Sequence, residues 1–396
     1  MLPMWSRFPA GRKFSWRTHL CVPRSRSCER VFCRRERRAP KSGEAARRRP
    51  ECAQCATIWQ DLGRIGGRLA ALFLALCVFL AAGATRPRYG GTLRVELHGA
   101  FESPDPPQTG PGMADLARAF NITLWEGGRR AVYAADENAA GGRPFVDSVE
   151  IQLARPLRDQ SIDLELGKTD IVELGPNEIR RQQPGRKTWQ SQRVRVVALV
   201  FSRRVEDVRV REALALAVDR AAILAVLLQR QGEVSGALLP QWLSGYAFLF
   251  PAVFDLPRAR ALASGAHPLS LGVSDPGLRT IADRIALNAR DAGLTVNIAP
   301  QGAADIRLVE TRIASADPSR ALPALAAAFG LPDPPRAETP DALYAAEHNL
   351  LEGFHVVPLF HLPDVYGAGP RVKGGPGITP LGEWRFGDLW IESVHP

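Results

Sequence analysis

The side chains best suited to catalysis or metal binding are few in this 396-residue sequence, and their spacing is poor. The histidine cluster comprises His348, His355 and His361, whose separations of seven and six residues put no two of them on one helical face as i and i+4 ligands. The short signatures of serine hydrolases, zinc proteases, phosphate-binding loops and dinucleotide folds are absent from the sequence. We therefore predict a protein that is not an enzyme and that uses neither a metal nor a cofactor.

Cysteine offers a second kind of metal site, but its spacing does not support one. Five of the six cysteines lie within residues 1–63, where Cys52 and Cys55 have the C-x-x-C spacing of a zinc ribbon and no second pair does. The first 64 residues carry a net charge of +11, and the remainder carries −1. Because this basic tail lacks apolar periodicity, we predict that residues 1–63 are disordered. We predict no nucleic-acid partner, because the excess positive charge belongs to this tail alone and an apolar segment follows it.

An apolar run follows the basic tail. Residues 69–82 contain no charge, follow Arg64 and Arg68, and lead to a site of small residues that ends at Ala84. This pattern is typical of a secretory signal peptide, and the run is shorter than the roughly 20 residues of a membrane span. We predict a signal peptide in residues 64–84 that is cleaved after Ala84, which gives a periplasmic or extracellular protein without cysteine. The alternative is an uncleaved membrane anchor, and a translation start near Leu62 would account for the long tail.

Aromatic residues form the strongest candidate for ligand binding. Trp242, Tyr246, Phe248 and Phe250 crowd a stretch around Pro240 whose spacing fits neither a helix nor a strand. A loop this apolar must be buried or bind something. We predict that Phe248 and Phe250 belong to the core. Trp242 and Tyr246 are predicted to contact ligand, because their rings combine a large contact area with a polar group.

Hydrophobic periodicity and helix caps predict the elements that position this loop. Residues 194–201 are predicted to form a buried strand, after which Asp207 and Asp219 each cap a helix. Alternating apolar residues on either side of a helical segment predict two βαβ units with parallel strands, in residues 149–174 and 269–298. The chain is therefore predicted to be an α/β protein.

One ordered set of residues resembles a known family. Residues 207–220 follow the pattern D-x-R-V-R-x-A-x-x-x-A-x-D-R and come shortly after Phe201. This order resembles the extracellular solute-binding proteins of ABC transporters, family 5, the type that carries peptides and nickel. The motif GGTLRV at residues 90–95 is similar to that family as well. Within the first pattern we interpret Arg209 and Arg211 as exposed helix charges.

The resemblance implies a two-lobed, periplasmic-binding-protein-like (type II) α/β fold. The fold is expected to be truncated, because an accessory domain of the family is missing between the strands of residues 93–97 and 121–125. Lobe I is expected to comprise residues 85–195 and 357–396, and lobe II residues 196–356.

The resemblance also implies a function, namely that of the exported solute-binding component of an ABC importer. Such a protein binds a peptide or another small solute between its lobes, docks on permease subunits and is a monomer. Phe201, Trp125 and Tyr366 become further candidate ligand contacts near the lobe junctions. Two alternatives stay open. One is a sensory or structural relic that no longer transports, because a domain and part of a cleft wall in residues 299–339 are missing. The other is a secreted hydrolase with an unrecognised catalytic triad.

Overall fold

The computed structural model describes residues 87–99, 113–181, 183–246, 249–273, 275–299 and 304–392. The strands are β1 (Thr92–Glu96), β2 (Phe120–Glu126), β3 (Arg130–Ala135), β4 (Ser148–Gln152), β5 (Ile171–Glu173), β6 (Lys187–Phe201), β7 (Glu233–Val234), β8 (Leu269–Val273), β9 (Val296–Ala299), β10 (Ile306–Arg312), β11 (Val356–Ala368), β12 (Val372–Lys373) and β13 (Trp390–Ile391). The helices are α1 (Met113–Ala119), α2 (Leu157–Glu165), α3 (Pro176–Arg180), α4 (Val208–Ala217), α5 (Arg220–Val226), α6 (Gln241–Ser244), α7 (Leu256–Leu262), α8 (Arg279–Asp291), α9 (Pro318–Phe329) and α10 (Pro340–Leu351).

Within these ranges no helix has the length and apolar character needed to cross a bilayer. The predicted basic tail and signal peptide of residues 1–84 lie outside the described residues. The same is true of Phe248, one of the two predicted core aromatics of the loop.

The larger sheet has the strand order β2-β3-β4-β1-β5-β11-β6-β10-β8-β9, and β7 pairs with β11 beside this path. β1 is parallel to both β4 and β5, and β8 is parallel to both β9 and β10. Both predicted βαβ units are therefore present with parallel strands. β1 and β2, which flank the expected position of the accessory domain, belong to this one sheet.

The first helix pair forms where its caps predict. The Asp207 side chain accepts a hydrogen bond from the backbone N–H of Arg209 at 2.8 Å, and the Asp219 side chain accepts one from Ala222 at 2.9 Å. These caps satisfy backbone donors that a helix start otherwise leaves free. They fix where α4 and α5 begin in the stretch that follows β6.

Arg211 is buried, and its interpretation as an exposed helix charge is wrong. Its residue exposure is 5%, and Nη1 donates to the carbonyls of Val205 and Glu206 at 2.6 and 3.0 Å. Nε donates to the carbonyl of Gly353 at 2.8 Å. The guanidinium therefore ties the start of α4 to the turn before β11, whereas Arg209 is exposed as predicted.

The side chains of β6 alternate between two buried clusters. Val197, Leu199 and Phe201 pack with α4 and α8, whereas Val196 and Val200 pack with α9 and α10 on the other face. Successive side chains of a strand point to opposite faces, so this part of the sheet lies between two helix layers. α9, which supplies much of the second layer, is not among the helices predicted from the sequence.

A further buried cluster is built on β1 to β4. It includes Leu93 and Ile151 from the parallel strands and Trp384 and Phe386 from the C-terminal segment. The end of the described chain therefore packs onto the strands at its beginning. Clusters built from distant segments in this way depend on long-range contacts that periodicity alone does not reveal.

Candidate functional site

β6 and β11 form an antiparallel pair at the centre of the larger sheet, and a group of parallel strands adjoins this pair on each side. The last residue of β5, Glu173, lies opposite Tyr366 of β11. The last residue of β10, Arg312, lies opposite Arg195 of β6, which pairs with Leu362 of β11. The carboxyl ends of β5 and β10 therefore run toward each other and stop about four residues apart along β11, or roughly 13 Å. We call this place the strand junction, comprising residues 191–195 of β6 and 362–366 of β11. Open α/β sheets bind ligands at the carboxyl ends of their strands, which makes the junction the candidate site.

β11 is irregular at the strand junction. Its register against β6 shifts on both sides of Pro363, a residue that has no N–H to contribute to the ladder. The backbone N–H of Asp364 donates instead to the hydroxyl of Ser191 at 2.8 Å. Such irregularities re-aim side chains and are common next to functional sites.

Four charged side chains form a network at the junction. The Arg195 guanidinium lies 3.0 Å from Glu310 and 3.2 Å from Asp364, and it donates to the carbonyl of Pro363 at 2.9 Å. Arg312 lies 2.5 Å from the other oxygen of Asp364. Nearby carboxylates raise the pKa of Arg195 despite its desolvation, so it stays charged. The network contains two positive and two negative groups in a partly water-excluded setting, where charge pairs interact strongly.

Two groups beside this network have unusual surroundings. Desolvation raises the pKa of the Glu173 carboxyl. The Tyr366 hydroxyl is buried and has no hydrogen-bond partner among the described residues, and burial raises its pKa. The Tyr366 ring meets the edge of Trp384 at a centroid distance of 4.3 Å. A buried hydroxyl without a partner among the described residues is energetically costly.

The C-terminal segment closes one side of the junction at Gly382. This residue has a φ of +81°, and a Cβ placed there would lie 2.7 Å from Arg312 Nη2 and 2.9 Å from Asp364 Oδ2. Arg312 also donates to the carbonyl of Leu381 at 2.6 Å. The close approach and the left-handed backbone both require glycine at this position.

Trp242 lies on α6 and is half-buried. Its Nε1 donates to the carbonyl of Arg193, which lies in β6 at the junction, at 3.0 Å. The Arg193 side chain is 3.3 Å from Glu233, a carboxylate that also lies 3.5 Å from Nδ1 of the buried His361. Trp242 is thus attached to the junction, and its role as a ligand contact stays a prediction.

Tyr246 is held by a buried carboxylate. Its hydroxyl donates to Glu347 of α10, and its ring meets Tyr344 edge-on at 5.4 Å. The second oxygen of Glu347 accepts hydrogen bonds from the backbone N–H groups of Leu238 and Leu239, the latter at 3.0 Å. Burial raises the pKa of Glu347 to about 7. These bonds hold the aromatic loop on α10, and ligand contact by Tyr246 stays a prediction.

The other three predicted contacts lie apart from the aromatic loop. Phe201 is 5% exposed in the cluster under α4 and α8, and Tyr366 is 1% exposed at the junction. Trp125 is half-buried on β2, the strand at one edge of the sheet, and packs against the β1 to β4 cluster. None of the three assignments is tested by this placement, although the packing of Phe201 favours a structural role.

The charged residues of the junction are not among the predicted site residues. A signal was present for two of them, because Arg195 interrupts the apolar second half of β6 and Asp364 interrupts a strand that is buried along its whole length. Histidine contributes no metal centre within the described ranges, where no group of three or more His, Cys, Asp or Glu side chains is placed to bind an ion. His348 instead stacks on Phe250 at 4.9 Å. The chemistry the junction offers is recognition of charge.

This fold is that of a class of proteins, the two-lobed α/β binding proteins of the periplasmic type. Residues 118–335 match the model of the bacterial extracellular solute-binding proteins, family 5. The chain belongs to this family, as its sequence motifs indicate. A comparison with curated proteins finds no match.

Solved structures share the fold at low sequence identity. DppA from Helicobacter pylori, in complex with the peptide STSA, is 17% identical with a TM-score of 0.59, over 69% of this chain and 63% of that one. A dipeptide-binding protein from Pseudoalteromonas sp. SM9913, in complex with Met-Leu, is 15% identical with a TM-score of 0.58, over 69% of this chain and 64% of that chain. NikA from Staphylococcus aureus, in complex with Ni(L-His)2, is 14% identical with a TM-score of 0.58, over 69% and 68%. The chain thus spans about two thirds of those structures, and the predicted truncated fold is confirmed.

Proposed function

We propose that this protein is the exported solute-binding component of an ABC importer and that it binds a peptide or a similar small solute at the strand junction. The observation that carries the proposal is the convergence of strand ends from both halves of the sheet on a cluster of charges at Arg195, Arg312 and Asp364. A receptor of this kind performs no reaction. It needs a site that encloses its cargo between two parts able to move.

Peptide cargo suits the charges of the junction. The guanidinium groups of Arg195 and Arg312 complement a carboxylate, and Asp364 and Glu310 complement an ammonium group. A short peptide carries both groups at its two ends. Two of the similar structures hold peptides and one holds Ni(L-His)2, which supports small solutes of this kind as candidates.

The proposed lobes meet at the strand junction. Lobe I comprises residues 85–195 with the C-terminal segment, and lobe II begins at residue 196. We place the second crossing at Pro363 and not at residue 357, because Val357 and Leu362 pack into the same cluster as α4 and α8. We propose that Trp242, whose Nε1 donates to the carbonyl of Arg193 at this boundary, contacts cargo from the lobe II side.

A binding screen tests the proposal. The purified exported protein is titrated by calorimetry with a library of di- to pentapeptides and, separately, with a nickel–histidine complex. We expect at least one peptide class to bind and Arg195→Gln to weaken that binding, whereas Arg209→Gln, which removes an exposed arginine, leaves it unchanged. Binding of no peptide would favour the relic, and release of hydrolysed peptide during the titration would favour the hydrolase.

Export is a separate part of the proposal. We propose that residues 64–84 direct the chain out of the cytoplasm and that the mature protein begins at Thr85, works as a monomer and delivers cargo to permease subunits. The Arg-flanked apolar run supports this. The intact mass of the exported protein is expected to start at Thr85, and a mass that retains residues 69–84 would instead indicate an anchored receptor.

A further inference from the structure

A cavity of about 210 Å³ lies in the proposed lobe II, away from the strand junction. Its walls come from helices α4, α5 and α7, from the end of the aromatic loop and the chain after it, from the end of α10 and from the start of β11. Most of the wall is apolar and includes Leu216, Phe250 and Val357. An apolar cavity of about 150 Å³ is large enough to hold a benzene ring, so this one has room for a six-membered ring with a substituent.

One fully charged side chain is buried in the wall of this cavity. Arg220 is 5% exposed, and it donates to two main-chain carbonyls, from Nη1 to Ala215 at 3.0 Å and from Nε to Pro358 at 3.3 Å. A guanidinium has five N–H donors, so donors are left over after these two bonds. No carboxylate among the described residues forms an ion pair with Arg220. Burial lowers its pKa to about 10, which leaves it charged at neutral pH.

The remaining charges of the cavity cancel each other. Glu212 and Arg258 line it and form an ion pair at 2.5 Å, with the Arg258 side chain 61% exposed. The cavity therefore has a net charge of +1, contributed by Arg220. A buried cation without a counter-ion is destabilising, and a bound anion would relieve that cost.

We infer that this cavity is a binding site for a small monocarboxylate with an apolar body, separate from the cargo site. The carboxylate meets the free donors of Arg220, and the apolar body fills the space beside Leu216 and Phe250. The charge selects an anion, and the apolar walls select against small hydrated ions such as chloride or phosphate. This inference does not depend on the proposed transport function, because no residue of the strand junction lines the cavity.

Benzoate and benzamide are the probes that test the site, because they have nearly the same shape and differ in charge. We expect benzoate to bind the purified full chain in calorimetry and to raise its melting temperature. Benzamide is expected to bind at least roughly tenfold more weakly, because it lacks the charge that pairs with Arg220. Equal binding of the two probes, or no binding of benzoate, would overturn the inference.

Two variants locate the binding. Arg220→Met removes the charge and is expected to abolish the preference for benzoate over benzamide. Leu216→Trp fills the cavity but keeps Arg220, so it is expected to weaken benzoate at least tenfold even if Arg220→Met fails to fold. Leu287→Trp adds the same side chain at an exposed position of α8 and serves as the matched control. Benzoate binding that survives Leu216→Trp would place the ligand elsewhere and refute the assignment.

Discussion

The buried carboxylate of Glu347 makes the stability of the protein depend on pH. Glu347 is 0% exposed, and its only hydrogen-bond donors among the described residues are two backbone N–H groups and the Tyr246 hydroxyl. Desolvation outweighs these bonds and raises its pKa from 4.5 to about 7. In Glu347→Gln the amide oxygen can accept the two N–H groups, and the amide nitrogen can donate to the Tyr246 oxygen. The variant keeps the hydrogen bonds and removes the titration.

The direction and size of the effect follow from linkage. Between pH 4.5 and pH 7 the folded protein holds a proton on Glu347 that the unfolded chain releases, so stability falls as pH rises through this window. Once the pH has risen through the whole window, a raised pKa of this size lowers the free energy of unfolding by about 3 kcal/mol. Between pH 5 and pH 8 the loss amounts to about 2.5 kcal/mol.

Urea denaturation at pH 5 and pH 8 measures this loss. The free energy of unfolding of Glu347→Gln, relative to that of the wild type, is expected to be about 2.5 kcal/mol larger at pH 8 than at pH 5, because only the wild type loses stability over this range. Other titrating groups are shared by the two proteins and cancel in the comparison. Glu352→Gln changes an exposed carboxylate directly after α10 and is expected to show no such change. A relative stability of Glu347→Gln that is the same at both pH values would refute the reasoning.

Three further predictions concern the buried arginine, the junction glycine and the aromatic loop. Arg211→Met leaves three main-chain carbonyls without their donor, so it is expected to lower the free energy of unfolding in urea by about 3 kcal/mol. The exposed Arg209→Met is expected to lower it by less than about 0.5 kcal/mol, and similar losses in the two variants would contradict the burial of Arg211. Gly382→Ala is expected to lower the free energy of unfolding by about 1–3 kcal/mol and to weaken cargo binding, whereas Gly375→Ala, whose added methyl group meets open space, is expected to change neither. A Gly382→Ala variant with unchanged stability would show that the C-terminal segment is free to move. Trp242→Ala is expected to weaken cargo binding by about 1–3 kcal/mol in calorimetry with a slight fall in melting temperature, and Trp242→Phe is expected to weaken binding less. Unchanged affinity with a large loss of stability would show that Trp242 is a core residue and not a ligand contact.

Local chemistry made the helices and parallel strands predictable. Asp207 and Asp219 satisfy backbone donors of the residues that follow them, which is a short-range interaction and can be read from sequence. The strand at residues 194–201 was predicted from its apolar run. β6 in fact begins at Lys187, and its first half was not predicted because polar residues on a half-exposed strand resemble a loop in sequence. α9 was missed even though Asp317 caps it, since Pro323 lies within the helix and argues against one.

The candidate site was less predictable, because it depends on strand order. Arg195 and Asp364 are separated by more than 160 residues and meet because β6 and β11 are neighbours in the sheet. Nothing in the local sequence around either residue encodes that pairing. The aromatic residues drew attention because they stand out by type, whereas charges that pair with one another resemble an ordinary solvent-exposed surface in sequence.

The antiparallel pair of β6 and β11 is also a mechanical element, since it is the connection between the two proposed lobes. A two-stranded ribbon bends and twists across its flat face but resists sliding along its length, because sliding would break every hydrogen bond of the ladder together. We expect the lobes to open and close by flexing, with the flexing concentrated where the register shifts around Pro363. Pro363→Val lets the ladder become regular and is expected to stiffen this hinge. Solution scattering would then show a smaller change in radius of gyration on cargo binding than in the wild type. An unchanged radius difference would place the flexible point elsewhere. In this view the amplitude of closure is set by the regularity of one strand, independently of how tightly the charges at the junction hold their cargo.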